Sequence, residues 1–281
     1  MKTQKTWFIT GASRGLGLEI TKAVLAAGNK VVATVRSKPE VIASELNNDN
    51  LYVISLDVTD EIQVGEAVKQ AVAKFGKIDV LVNNAGFGLL GAIEEATDAD
   101  IRHMYDTNVF GVLNVLRHML PILRKQRSGH IINITSVGGL TGSAGWGLYN
   151  STKFAVEGIS EALSKELAPL NIFVTAVEPG YFRTNFLDNS SLNTVPNSID
   201  DYRDTVGKMQ TAAVERNNKQ PGDPKKLAEA LLAITQVEKP PVHLPLGKDA
   251  LSSYLAKTAN FQLDIDTWYE LITGTDHDDI A

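Results

Sequence analysis

No cysteine occurs among the 281 residues, which excludes disulfides, thiolate nucleophiles and cysteine-ligated metals. Long apolar runs are also missing, and none approaches the roughly 20 residues of a membrane-spanning helix. Lysine and arginine cluster nowhere in a long run. With a net charge of −6 and a pI near 5.4, this argues against a nucleic-acid or anionic-membrane surface, so neither is expected as a partner. Histidine is scarce, and His103, His118, His130 and His243 lie too far apart to show a ligand spacing. The terminal Asp276-His277-Asp278-Asp279 reads as a solvated acidic tail, so no metal is expected. Internal repeats and low-complexity stretches are absent.

What is present is a globular composition, 43% hydrophobic and 21% charged, long enough for one large α/β domain spanning 1–281. Met1 to Lys5 is polar and runs directly into Thr6-Trp7-Phe8-Ile9-Thr10, so no signal peptide is expected and the protein reads as cytoplasmic. Apolar strand-like runs alternate with helix-period segments, the pattern of a parallel sheet covered on both faces. The expected strands are 6–10, 30–35, 51–55, 80–83, 131–135, 172–177 and 242–244. The expected helices are 15–27, 61–75, 98–124, 149–167 and 224–235.

The first strand ends in Thr10-Gly11-Ala12-Ser13-Arg14-Gly15-Leu16-Gly17 and opens a helix. Glycine permits a sharp turn and close backbone approach, and the helix N-terminus offers N–H groups and a positive dipole end to a pyrophosphate. The spacing is Gly-x-x-x-Gly-x-Gly, not the more usual Gly-x-Gly-x-x-Gly. At the end of the second strand, where an adenosine ribose would lie, an NAD site would want an acid. Arg36 stands there instead, and Arg14 in the loop adds a second cation. Together they favour a 2′-phosphate, hence NADP(H) over NAD(H), although each could simply decorate its loop.

Asp57 and Val58 follow the third strand, where an acid can meet an adenine amino group. Its other reading is a helix cap, a role better suited to Asp60. Asn83-Asn84-Ala85-Gly86 forms a small polar turn at the sheet's C-terminal edge, where ligands bind in open α/β sheets. Asn108 inside a long helix and Ser136 at a strand end would, taken alone, be a packing residue and a turn former. Tyr149 and Lys153 stand four residues apart on one helix face, where a cation can lower a phenol's pKa toward a working range. The pair alone also arises by chance, with the tyrosine packed and the lysine solvated.

Taken in order, Thr10 to Gly17, Asn83 to Gly86, Asn108, Ser136 and Tyr149 to Lys153 closely resemble the short-chain dehydrogenase/reductase family over at least residues 6–184. The resemblance implies a Rossmann-type, doubly wound sheet of seven parallel strands in the order 3-2-1-4-5-6-7, in a three-layer αβα arrangement. It also implies an NAD(P)-dependent oxidoreductase of alcohols and carbonyls. Residue by residue, the family's tetrad falls on Asn108, Ser136, Tyr149 and Lys153. Ser136 would donate to the carbonyl oxygen, Tyr149 would deliver a proton, Lys153 would bind the nicotinamide ribose, and Asn108 would hold a water leading to solvent. Gly11, Ser13, Arg14, Gly15, Leu16, Gly17, Arg36, Asp57, Val58, Asn84, Ala85 and Gly86 would line the nucleotide site. Pro179 and Gly180 match the family's Pro-Gly motif, where an amide near Tyr181 and the Thr184 hydroxyl would touch the cofactor. Family members are often homodimers or homotetramers through their long helices.

Residues 185–221 lose periodicity and are expected to form a substrate lid, and 242–281 a C-terminal extension with amphipathic segments around 250–259 and 265–272 that would cover the pocket or meet another subunit. Phe182, Phe186, Leu187, Leu140, Trp146 and Leu148 could wall an apolar pocket for a small carbonyl or alcohol substrate, or could complete the core. A protein that binds NADP(H) as a sensor without turnover is the alternative, which the intact tetrad argues against.

Overall fold

A computed structural model describes residues 4–277 except residue 197; the acidic residues Asp278 and Asp279 lie outside the described residues. Seven parallel strands form one sheet: β1 (Thr6–Ile9), β2 (Lys30–Val35), β3 (Leu51–Ser55), β4 (Val80–Asn83), β5 (Gly129–Ile134), β6 (Ile172–Pro179) and β7 (His243–Leu246). Their spatial order is β3-β2-β1-β4-β5-β6-β7, the doubly wound order expected. The central strands are mainly apolar because helices cover both faces. In β1 the alternation of side chains sends Phe8 to one face, and Trp7 and Ile9 to the other, all three fully buried.

The Phe8 face is covered by α3 (Glu61–Phe75), α5 (Gly111–Gln126) and α6 (Gly147–Leu167), through residues such as Val68, Met119 and Leu163. The opposite face carries α1 (Gly15–Ala26) and α8 (Pro224–Ile234), which pack through Ile20, Val24, Leu227 and Leu231. Asp60 caps α3, accepting from the N–H groups of Ile62 and Gln63, which leaves Asp57 free of that task.

Several boundaries differ from expectation. The helix expected over 98–124 is α4 (Asp98–Tyr105), a π-helical turn (Asp106–Phe110) and α5. That turn is where Asn108 sits, and its side chain holds both backbone polar groups of Phe87. A short helix, α2 (Pro39–Leu46), escaped the pattern because it buries a single residue, Ile42. Residues 185–221 are not featureless. They hold Leu192–Thr194, which pairs with Gly88–Leu90 in a second, two-stranded sheet, a further π turn (Arg203–Gly207) and α7 (Lys208–Arg216). The C-terminal segment is helical, as α9 (Lys248–Thr267) and α10 (Tyr269–Thr273). No helix among the described residues is long and apolar enough to cross a membrane.

Candidate active site

The turn between β1 and α1 is built to bring a ligand against bare backbone. Gly11 (φ +65°) and Gly15 (φ +56°) occupy the left-handed region, and a Cβ on Gly11 would come within 2.9 Å of Ala85 Cα. The loop is stitched to the end of β4. Thr10 Oγ1 accepts from the amides of Asn84 (2.9 Å) and Ala85 (3.0 Å), while Asn84 Nδ2 donates to the carbonyls of Thr10 (2.9 Å) and Gly11 (3.0 Å). The Asn84 side chain therefore shapes the loop. No side chain caps the start of α1 and no acid lies in its first turn, so the N–H groups and positive dipole end face the cavity. A pyrophosphate fits this cradle.

A cavity of about 430 Å³ runs along the C-terminal ends of the strands. At one end it is lined by Ser13, Arg14, Arg36, Asp57 and Val58, with no acid at the end of β2. Arg14 also donates to the Ser190 carbonyl, which ties the glycine loop to the 185–221 segment. Asp57 Oδ1 accepts from the amide and hydroxyl of Thr59.

At the other end Ser136, Tyr149 and Lys153 line the same cavity. Tyr149 and Lys153 occupy successive turns of α6, and Lys153 Nζ lies 5.6 Å from the phenol ring centroid. Lys153 donates to the Ile134 carbonyl at 2.9 Å. The expected lowering of the phenol by the ammonium is not what sets it here. Burial pushes the Tyr149 phenol up to about 12, while the Ser136 hydroxyl works in the opposite sense. Burial likewise pulls the Lys153 ammonium down to about 8, against the field of Glu157.

Asn108 is packed behind Gly86. Its Oδ1 accepts from the Phe87 amide at 3.1 Å, and its Nδ2 donates to the Phe87 carbonyl and to Thr152 Oγ1. The side-chain amide is thus engaged at both ends by Phe87 and Thr152. The Tyr181 amide, expected to face a cofactor, instead donates to Asp249 Oδ2 at 2.7 Å, and Gly180 N donates to the Leu246 carbonyl. Pro179, Gly180 and Thr184 do line the cavity, and Thr184 Oγ1 accepts from the Phe186 amide.

Of the six apolar wall candidates, Trp146, Phe182, Phe186 and Leu187 line the cavity. Trp146 and Phe186 each stand 5.6 Å from the Tyr149 ring, centroid to centroid. Leu148 packs instead into the cluster around Leu89 and Met104, and the Leu140 carbonyl accepts from Lys257.

A cluster that sequence spacing concealed lies behind Lys153. Glu157 on α6 and Glu178 on β6 are buried, and His243 on β7 brings its Nδ1 to 2.9 Å from Glu178 Oε1 and 3.4 Å from Glu157 Oε2. The histidines expected to stand apart thus include one with three acid neighbours, Glu161 being the third at 3.5 Å from His243 Nε2. Both oxygens of Glu157 and Oε2 of Glu178 are buried without a hydrogen-bond partner. Burial raises both carboxyls, Glu178 to about 7 with Glu157 as the second cause. Glu157 lies four residues after Lys153, so its side of the cluster was legible as a helix-face pair; Glu178 and His243 required the fold.

The short chain dehydrogenase family profile matches residues 5–194. A 3-ketodihydrosphingosine reductase from Bacteroides thetaiotaomicron is 39% identical over 239 residues, covering 85% of this chain and 86% of that protein. A short-chain dehydrogenase structure from Streptomyces avermitilis superposes with a TM-score of 0.90 at 36% identity, covering 98% of this chain and all of that one. The NADP-bound structure of ElxO matches with a TM-score of 0.69 at 29% identity, over 86% of this chain and 96% of that one. With its seven-stranded sheet and its glycine loop set opposite a Tyr-x-x-x-Lys helix, the chain belongs to the short-chain dehydrogenase family of nucleotide-binding oxidoreductases.

Proposed function

We propose that the protein is an NADP(H)-dependent oxidoreductase that interconverts a secondary alcohol and a ketone or aldehyde, with Tyr149 as general acid and base. The observation that carries this reading is the single cavity lined at one end by the uncapped glycine loop and at the other by Ser136, Tyr149 and Lys153. Gly11, Ser13, Gly15 and Leu16 would hold the pyrophosphate, with Asp57 and Val58 at the adenine, Ala85 and Gly86 along the ribose, and Thr184 near the nicotinamide; Gly17 lies outside the cavity lining, where its missing side chain lets α1 pack on the Gly11 carbonyl and Asn84. When bound, the nucleotide supplies or accepts the hydride.

The chain's own groups supply the proton chemistry. A carbonyl oxygen gains negative charge as it is reduced, and the hydroxyls of Ser136 and Tyr149 can both donate to it. A phenol is protonated at neutral pH and burial holds this one further from ionising, so Tyr149 carries the proton that reduction needs. Lys153, beside it, orients the ribose and supplies the local positive charge that steadies a phenolate once the proton has left. Trp146, Phe186 and Leu187 give the substrate end an apolar wall, and residues 185–221 close over it as a lid. An apolar ketone fits that wall, in keeping with a relative named for reduction of a ketosphingoid substrate.

Following NADPH absorbance against a panel of aromatic, steroid-like and aliphatic ketones tests the reading. Tight NADPH binding without turnover across the panel would favour a nucleotide sensor instead. The cofactor choice has its own test. Arg36→Asp removes a cation that can fork onto a 2′-phosphate and adds an acceptor for a 2′-hydroxyl, so kcat/KM for NADP(H) is expected to fall about 10–100-fold relative to NAD(H). An unchanged ratio would refute the role of Arg36.

A further inference from the structure

Behind Lys153 lies a buried acid that the proton chemistry above leaves unused. Lys153 is 7% exposed and Glu157 5%, on successive turns of α6. The lysine lines the cavity, its Nζ donating to the Ile134 carbonyl at 2.9 Å and standing 3.8 Å from where a Cβ on Gly86 would lie. The glutamate packs under the turn that follows Ser136. A Cβ on Gly139 would come within 3.0 Å of Glu157 Cγ and 3.1 Å of its Oε1, so bare backbone at Gly139 is what admits the carboxyl there.

Both oxygens of Glu157 are buried without a hydrogen-bond partner, and the neighbouring Thr135 hydroxyl gives its hydrogen to the Val177 carbonyl at 2.8 Å. What faces the carboxyl is ionisable. Lys153 acts on it from its own helix, Glu178 from β6 and His243 from β7, with His243 Nδ1 at 3.4 Å from Glu157 Oε2 and Glu161 beyond, at His243 Nε2. Glu178 pairs through Oε1 with His243 Nδ1 at 2.9 Å and keeps Oε2 unpartnered. Burial favours the neutral form of Glu178, whose hydrogen on Oε2 is then free to point at Glu157. The proton rests on Glu178, and the negative charge on Glu157, one turn from the lysine.

We propose that Glu157 is a positioning residue for the reaction: its buried carboxylate keeps the Lys153 ammonium charged within the cavity, and Glu178 and His243 hold that carboxylate in place. This role rests on those proposed above for Tyr149 and Lys153. Burial works against the charge of a lysine, and Glu157 is the carboxylate whose field opposes that loss. Without it, the cation that steadies the Tyr149 phenolate disappears at a lower pH. Opposite charges one helix turn apart in a buried site couple by about one pH unit or more. The remaining neighbours of Lys153 are the Tyr149 phenol, Asn108 and the Ile134 carbonyl, none of which is an anion at neutral pH.

The test uses the full chain carrying Glu157→Gln, which keeps the shape and removes the charge, with EDTA present so that no divalent cation occupies the cluster. In the wild type, kcat/KM for reduction of the best ketone should decline above about pH 8. In the variant the decline should begin about one unit lower, making it about fivefold slower at pH 8 and leaving it within about twofold at pH 6. Fluorescence titration with NADPH over the same range needs no ketone, and because Lys153 is placed at the nicotinamide ribose, affinity should weaken at the same displaced pH. Glu157→Asp keeps the charge and should restore at least half of the displacement. Lost packing alone would lower rate and affinity equally at every pH. Such a uniform loss would overturn the proposal, as would an unmoved decline in both measurements or a Glu157→Asp profile displaced as far as that of Glu157→Gln. A wild type that unfolds in EDTA would overturn it as well. If no ketone is turned over, the reading of the reaction fails, and the NADPH titration alone decides the role of Glu157.

Discussion

Tyr149→Phe is expected to lower kcat by about 10²–10⁴-fold, the range over which a positioned general acid contributes, while NADPH affinity stays within about twofold. The substitution isolates one atom. The ring of Tyr149 is buried between Trp146 and Phe186, and phenylalanine keeps that packing. Among the described residues no group accepts the phenol hydrogen, so fold and nucleotide cradle are expected to stay as they are. With the phenol at about 12 and the lysine at about 8, the tyrosine carries its proton and most of the lysine its charge at pH 7. Removing the hydroxyl leaves Ser136 as a lone donor that cannot give up a proton at neutral pH. Steady-state rates with the best ketone of the panel, beside a fluorescence titration with NADPH, check both halves of the expectation. Turnover near the wild-type rate would sink the acid/base assignment, and loss of NADPH binding would show that the phenol holds the nucleotide rather than the proton.

The sheet was legible because its strands are short apolar runs closed by polar turns: β2, β3 and β4 fall on the expected residues, and the order of strands follows from the resemblance. The glycine loop and the Tyr149–Lys153 pair were legible for a related reason, since their geometry is local, one a turn and the other a single helix face. The π turn at Asn108 was not. It inserts an extra residue into a helix without changing the residue types around it, and what holds it is the contact of Asn108 with Phe87, 21 positions away. The same applies to Tyr181, whose amide is taken by Asp249 from 68 positions downstream. Spacing also conveys proximity but not burial. The adjacency of Lys153 to Tyr149 was readable, whereas the desolvation that dominates both groups depends on the completed cavity wall.

Glu178→Gln is expected to flatten the dependence of stability on pH and to stabilise the protein above pH 7. The folded Glu178 carboxyl sits at about 7 and an ordinary glutamate at 4.5, so the folded chain holds this proton more tightly than the unfolded chain does. Its contribution to stability is therefore complete below about pH 4.5 and is lost as pH rises through about 7. Two and a half units at 1.36 kcal/mol each give about 3 kcal/mol over that window. The groups facing it are Glu157 from α6, and His243 and the Leu244 backbone from β7; Glu161 lies at the other ring nitrogen of His243, and Lys153 stands one turn before Glu157. Glutamine keeps the shape, does not titrate, and brings an amide that can donate to the unpartnered oxygens of Glu157. Tm measured from pH 5 to 8 should fall in the wild type and change much less in the variant, leaving the variant several degrees higher at pH 8. Glu157, Glu178 and His243 also place their ligand atoms within 4.8 Å of one another, and a divalent cation bridging them would reverse the sign, because both carboxyls must be ionised to bind it. Wild-type stability rising with pH and collapsing in EDTA would therefore replace the Glu178 proton with a metal. Parallel Tm profiles for the two proteins would show that Glu178 does not set the slope.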